Sequence, residues 1–236
     1  MASDKKIMRI RALETTQMLD LRHTIAANLF ADKRYPFEAL PFIHDFIIEH
    51  GNQHLMNAKF EKRGEDIWIA KNAIVADTAC INGPCIIDEE AEIRHGAFIR
   101  GNAIIGKKTV VGNSTEIKNS ILFDGVQVPH YNYVGDSILG FMSHMGAGSI
   151  TSNVKSDKSL IEIHYGKERM RTGMKKFGAV VGDYTEIGCN SVLNPGSMVG
   201  RDTIVYPLSS VRGYVPNLSI YKTNGKPVVI SKQTQK

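Results

Sequence analysis

Arg100 and Lys118 stand 18 residues apart, and each directly follows an isoleucine, Ile99 and Ile117. In a chain that repeats every 18 residues, this spacing stacks the two cations about 4.8 Å apart on neighbouring coils. Stacked cations repel unless water screens them or an anion shares them, so the pair marks either an exposed corner or a phosphate site. A second column holds His95, Asn113, His130 and Ala147, one per coil once two shortened steps are allowed for. His130 lies in VQVPHYNYVGDSILG, where Pro129 and the shortened repeats are expected to bend the coil from its regular form. A histidine at an exposed turn can act as a general base near neutral pH, and the nearby Tyr133 can hold a polar ligand. Most of the eight histidines are expected to have no such part.

The elements that position these residues come from a ladder of aliphatic residues six apart. From Ile69 it runs through Val75, Ile81, Ile87, Ile93, Ile99, Ile105 and Val111 to Ile117, with a small residue four places after each one up to Val111. Single steps of five lead to Leu122 and Leu139, and after an interruption the ladder resumes at Val181 and runs to Val211. A period of six matches neither a helix nor simple strand alternation, but it is the hexapeptide signature of a parallel β-helix. The fold class is therefore mainly β: a left-handed parallel β-helix, three hexads to a coil, with a short N-terminal helical segment. The aliphatic residues fill the prism and the small ones turn its corners.

Residues 1–66 are expected to form a helical cap, with one helix within 12–30 and a second over Pro36 to His50, split at Pro41 and closed by Gly51. Its expected role is to shield the open edge of the first coil. Residues 67–222 form the β-helix and 223–236 a C-terminal tail. A basic insertion at 152–176 interrupts the ladder. From Lys155 to Lys176 it holds seven Lys or Arg against three Asp or Glu, which is +4 of the chain's formal +5. It reads as a solvated loop, or as a loop leaning over an anionic ligand.

No run of 18 apolar residues is present, and the charged start MASDKKIMRIRALE does not resemble a signal peptide. A cytoplasmic protein is expected, without membrane or nucleic-acid partners, because the basic residues are not interleaved with aromatics. Three cysteines without a CxxC pair agree with a reducing compartment. No metal site is expected: His95 and His130 have the separation seen in a zinc carbonic anhydrase family of this fold, but Gly135 stands where the third histidine would be.

The run from Lys118 through HYNYVGDSILG to MGAGSITSN resembles the C-terminal acetyltransferase domain of the bacterial bifunctional enzyme that makes UDP-N-acetylglucosamine, a glucosamine-1-phosphate acetyltransferase. The closing segment VLNPGSMVGRDTIVYPLSSVRGYVP is closer to short or archaeal sugar-nucleotide synthases of the same superfamily. The resemblance implies that His130 is the base that takes a proton from the sugar amine as it attacks acetyl-CoA, the co-substrate. It places Arg100, Lys118 and Tyr133 at the sugar phosphate, and Ala147 at the thioester end of acetyl-CoA. Cys189 and Pro207 fall along the pantetheine channel, and Lys222 falls near the CoA phosphates. Two departures concern the acceptor: His144 replaces an asparagine, and Ser159 replaces a lysine, for which the adjacent Lys158 can substitute. The family is a homotrimer with shared sites, so a trimer is expected here. The alternative is a non-catalytic sugar-nucleotide-binding or regulatory subunit related to pyrophosphorylases. The residues before the coils offer no glycine-rich phosphate loop, so no nucleotidyl transfer is expected of them.

Overall fold

The computed structural model describes residues 10–224 and 226–232. The readings made on the first nine residues and the last four lie outside the described residues. Short strands wind into a parallel β-solenoid with three faces, of nine, nine and seven strands. Successive coils pair in parallel with partners 18 residues apart, such as Ile69 with Ile87 on face 1, Val75 with Ile93 on face 2 and Ile81 with Ile99 on face 3. The predicted ladder lines the inside of the prism. Ile87, Ile93, Ile99, Ile105, Val111, Ile117, Leu122, Val128, Val134 and Leu139 are all fully buried. Thr151 takes the ladder place before the insertion, bonding through its hydroxyl to Gly135 N at 2.9 Å.

The two shortened steps fall at the corner from face 3 to face 1. The partners Ile105 and Leu122, like Leu122 and Leu139, are only 17 apart. Asn119 and Asp136 turn this corner with φ of 46° and 48°. Pro129 does not distort the coil: Gln127–His130 pairs in register with Val110–Asn113, since Pro129 presents its carbonyl where Gly112 leaves room. The irregularity therefore lies beside Lys118 rather than beside His130.

Within the N-terminal segment, Phe60–Lys62 pairs antiparallel with Ile67–Ala70 and closes the first coil's edge on face 1, as expected, but most of the segment covers one side of the solenoid. Face 1 carries apolar residues on its outer surface as well as its inner one. Trp68, Ile86, Ile104, Ile121, Ile138, Val180 and Met198 form an outward column in register, and all are fully buried. Left to water, each would forgo about 1.5–3 kcal/mol of burial. The segment that covers them is mostly single turns, Arg11–Leu13, Thr15–Met18, Leu21–His23 and Ala27–Phe30, rather than the predicted long helix. Pro36–Phe42 is 3-10 helix and passes into a helix over Ile43–His54. Gly51 lies inside that helix instead of ending it, because a Cβ there would lie 2.4 Å from the indole of Trp68. Phe30 meets Phe123 edge-on and Phe37 tilts against Phe177, with centroids 5.9 and 5.4 Å apart.

The basic insertion is not a solvated loop. Glu162–Tyr165 and Glu168–Arg171 form an antiparallel hairpin. Ile161, Ile163 and Met170 are buried, and Tyr165 stacks on Tyr214, so the hairpin extends the cover over the later coils of face 1. The C-terminal tail also joins the fold: Ser219–Asn224 and Lys226–Ser231 pair with each other, and the first pairs with Ile204–Val205 on face 2.

Candidate functional site

Face 3 carries a polar cluster on its outer surface. The register Phe98, Glu116, Tyr133, Ile150 runs across adjacent coils, and Arg100 and Lys118 follow it at the corner toward face 1. The two cations stack as expected, but each is already paired. Arg100 Nη1 donates to Glu116 Oε1 at 2.6 Å, and Lys118 Nζ donates to Asp136 Oδ2 at 3.2 Å. Asp136, with a side chain 6% exposed, also accepts from Asn119 Nδ2 at 2.9 Å and from Asn153 Nδ2. Asn153 donates further to the Tyr133 hydroxyl at 3.2 Å. Burial, together with the carboxylates of Asp136 and Glu116, raises the Tyr133 phenol above its ordinary pKa, so it remains a proton donor. The Tyr133 ring lies over Gly135, where an added Cβ would meet its hydroxyl at 2.4 Å.

His130 stands at the corner between faces 2 and 3, exposed, at the end of the strand Gln127–His130. Its column is confirmed: His130 pairs with Asn113, and Gly148 N bonds to His130 O at 3.0 Å, which sets Ala147 directly beyond it. The column continues through Cys189 and Pro207, because His144 and Met145 pair with Glu186 and Ile187, and Ile187 with Val205. Asn132 braces this corner. It is buried, accepts from His130 N at 3.1 Å and donates to the carbonyls of Gly146 and Ser149 at 2.9 and 3.0 Å. The next residue in each coil is left-handed, with Tyr131, Gly148, Asn190 and Leu208 at φ between 52° and 71°.

Beside that column, the outer surface of face 2 holds a mainly apolar groove lined by Gly146, Ile187, Gly188, Cys189, Val205 and Pro207. One wall is His144, whose Nδ1 lies 2.8 Å from Glu186 Oε2. At the far end Tyr206 carries Lys222, with Nζ 4.3 Å from the ring centroid. Cys189 and Pro207 are exposed to this groove, while Ala147 is half-buried.

Nine of the predicted site residues thus gather around one corner and its two flanking faces. Lys158 is apart from them: it is exposed at a turn of φ 55°, and its backbone N–H bonds to Lys155 O at 2.9 Å. Sequence reasoning missed Glu116, Asp136 and Asn153, which surround the cations, and Glu186, which holds His144. Among the described residues, no group of three or more His, Cys, Asp or Glu could hold a metal ion. His95 instead bonds Thr78 Oγ1 at 2.7 Å. No helix of the described residues is long and apolar enough to cross a membrane.

Residues 81–162 match the family described as the GMPPB C-terminal domain. The chain is 32% identical over 151 residues to a bifunctional sugar-1-phosphate nucleotidylyltransferase/acetyltransferase of Sulfurisphaera tokodaii, covering 56% of this chain and 38% of that protein. It is 36% identical over 86 residues to the bifunctional protein GlmU of Methanococcus vannielii, covering 36% of this chain and 20% of that one. The chain therefore spans well under half the length of these relatives. Among solved structures, it is similar to an N-acyltransferase, AntD from Bacillus cereus, determined with dTDP-4-amino-4,6-dideoxyglucose and coenzyme A. There the identity is 16%, the TM-score 0.37, and the match covers 72% of this chain and 83% of that one.

Proposed function

We propose that the chain is an acetyl-CoA-dependent N-acetyltransferase acting on a phosphorylated amino sugar, such as glucosamine-1-phosphate, in UDP-N-acetylglucosamine or related nucleotide-sugar biosynthesis. One observation carries this reading: His130 stands at the corner between a cation-bearing polar face and an apolar groove that ends at a lysine. The similarity to bifunctional nucleotidylyltransferase/acetyltransferases supports it.

The acceptor phosphate sits against Arg100 and Lys118. Both are paired with carboxylates, so the cluster is neutral before substrate arrives, and its cations are positioned rather than free. Lys118 can turn to a phosphate without stranding Asp136, which keeps its bonds from Asn119 and Asn153. Glu116 is about one-third exposed and stays solvated when Arg100 turns. The sugar lies over Tyr133, and its amine reaches His130. At about 3.3 Å per residue, the few residues from His130 to the Lys118 corner span roughly 15 Å, room for a hexose phosphate and the side chains that hold it.

The groove on face 2 fits the pantetheine arm, and Lys222 fits the anionic end of the acyl donor. With its backbone pinned by Asn132 and Gly148, His130 accepts a proton from the amine as its nitrogen attacks the acetyl carbonyl. A C–N bond forms, the C–S bond breaks, and the leaving thiolate is protonated. Ala147 and Gly146 supply backbone beside the thioester end.

Faces 2 and 3 meet at the His130 corner, so the groove and the cation cluster of one chain approach His130 from its two sides. In a homotrimer, a neighbouring copy packs along these faces and encloses the site. Face 1 is covered by the chain's own segments, which leaves the other two faces for this contact. The test is thiol release from acetyl-CoA against a panel of amino sugars and their 1-phosphates, with molecular mass measured in solution. Turnover on a 1-phosphate is the expected result. Sugar-nucleotide binding without thiol release would instead assign a regulatory subunit.

A further inference from the structure

The covering hairpin brings a second group of cations together, away from His130. His164 and Arg169 are directly paired across its two strands. The hairpin is pressed onto the corner at Gly213, where φ is 76° and an added Cβ would lie 2.4 Å from His164 O. This places His164 beside Arg212, the residue before that glycine, and the charge of Lys155 reaches His164 from the start of the insertion. Four basic side chains thus converge from three separate stretches of chain.

Their charges are poorly matched. Neither Arg169 nor Arg212 makes an ion pair among the described residues, and the Arg169 guanidinium donates only to the carbonyls of Gly166 and Glu168, at 3.3 and 2.8 Å. Lys155 lies 3.6 Å from Asp157, and Glu162, the carboxylate facing the group, is drawn to Arg171 at 3.7 Å. Burial and then the charges of Arg169, Arg212 and Lys155 lower the proton affinity of His164, with Glu162 opposing. Packing does not require this arrangement: the buried residues of the hairpin are Ile161, Ile163 and Met170, whereas Arg169 and Arg212 are exposed. Like charges held together on a fixed scaffold favour an anion that can share them, and guanidinium groups suit phosphate oxygens.

We propose that His164, Arg169, Arg212 and Lys155 form a second anion site that binds a phosphate group of a small molecule, separate from the Arg100 and Lys118 cluster. Arg212 lies on the same corner as Lys118 but four coils further along, roughly 19 Å away at about 4.8 Å per coil. The site does not depend on the acetyl-transfer reading, because it is argued from binding alone.

The test titrates the full chain with inorganic phosphate, UDP and uridine, following binding heat and the ring signals of His164 by NMR. Phosphate and UDP are expected to bind and to move the His164 signals, and uridine is expected to do neither. Arg169→Ala with Arg212→Ala should weaken binding roughly tenfold or more, while the two Arg→Lys changes retain part of it, since an ammonium keeps the charge but not the bidentate geometry. Arg100→Ala with Lys118→Ala should leave the His164 response unchanged. UDP binding well ahead of phosphate would identify a nucleotide as the source, and equal binding a simple phosphate; both support the site. No His164 response at millimolar phosphate and UDP, or a response that survives loss of both arginines, overturns it.

Discussion

Asp136 Oδ2 lies 3.2 Å from Lys118 Nζ across the shortened corner, in a carboxylate that is 6% exposed. The missing residue in that corner draws Asn119, Asp136 and Asn153 into one network, so the irregular step in the repeat builds the support for the cation. Lys118→Ala should raise KM for a phosphorylated acceptor and have much less effect on an unphosphorylated one, because the ammonium contributes chiefly through its bond to phosphate. Steady-state kinetics with both acceptors decide this, and equal losses would make Lys118 structural.

His130 is exposed, its side chain makes no hydrogen bond or ion pair among the described residues, and its backbone is held by Asn132 and Gly148. His130→Ala should therefore fold normally and lower turnover by about 10² to 10⁴, with acetyl-CoA affinity nearly unchanged. A near-normal rate in a stopped thiol-release assay would remove the base assignment.

The inner ladder could be read from sequence because its period is unaffected by anything outside the prism. Register then carried the columns: His130, Ala147, Cys189 and Pro207 fall on one corner because equal spacing becomes adjacency in a solenoid. The partners Glu116 and Asp136 were not legible, since they reach the cations from other hexad positions through a corner whose geometry the repeat does not specify. The covered face had a signal that was overlooked. The doublets Trp68-Ile69, Ile86-Ile87, Ile104-Ile105, Ile121-Leu122 and Ile138-Leu139 recur once per coil, and a strand apolar on both sides must be covered on both. That pattern calls for a lid along face 1, where an edge argument had suggested a cap at the end.

Phe37, 4% exposed, packs against Phe177 at the point where the N-terminal segment meets the chain returning from the insertion. Phe37→Ala should destabilise the protein by about 3 kcal/mol through lost burial and the cavity left behind. Gly51→Ala should also destabilise it, because the indole of Trp68 is rigid and already in the way. Chemical denaturation measures both, and unchanged midpoints would mean that the segment contributes little to holding face 1.

Asp88 supplies a pH dependence. It is 1% exposed; its Oδ1 accepts from Glu89 N at 2.7 Å, while Oδ2 has no hydrogen-bond partner among the described residues. Burial pushes its carboxyl up to about 6, against the opposing pull of the Glu89 N–H and Lys107. A carboxyl whose pKa is higher folded than unfolded makes a contribution that is fully present below the unfolded value, near 3.8, and lost as pH rises through about 6. At neutral pH the folded chain thus carries a buried charge that the unfolded chain keeps in water. At about 1.4 kcal/mol per unit, a difference of roughly two units amounts to about 3 kcal/mol. Asp88→Asn keeps the acceptor for Glu89 N and does not titrate. Relative to the parent chain, the variant should therefore gain stability between pH 4 and pH 7, with most of the change below pH 6.5. Urea denaturation of both proteins across that range gives the difference directly. A constant difference would show that the Asp88 carboxylate is compensated in the folded state, by Lys107 swinging inward or by water reaching Oδ2.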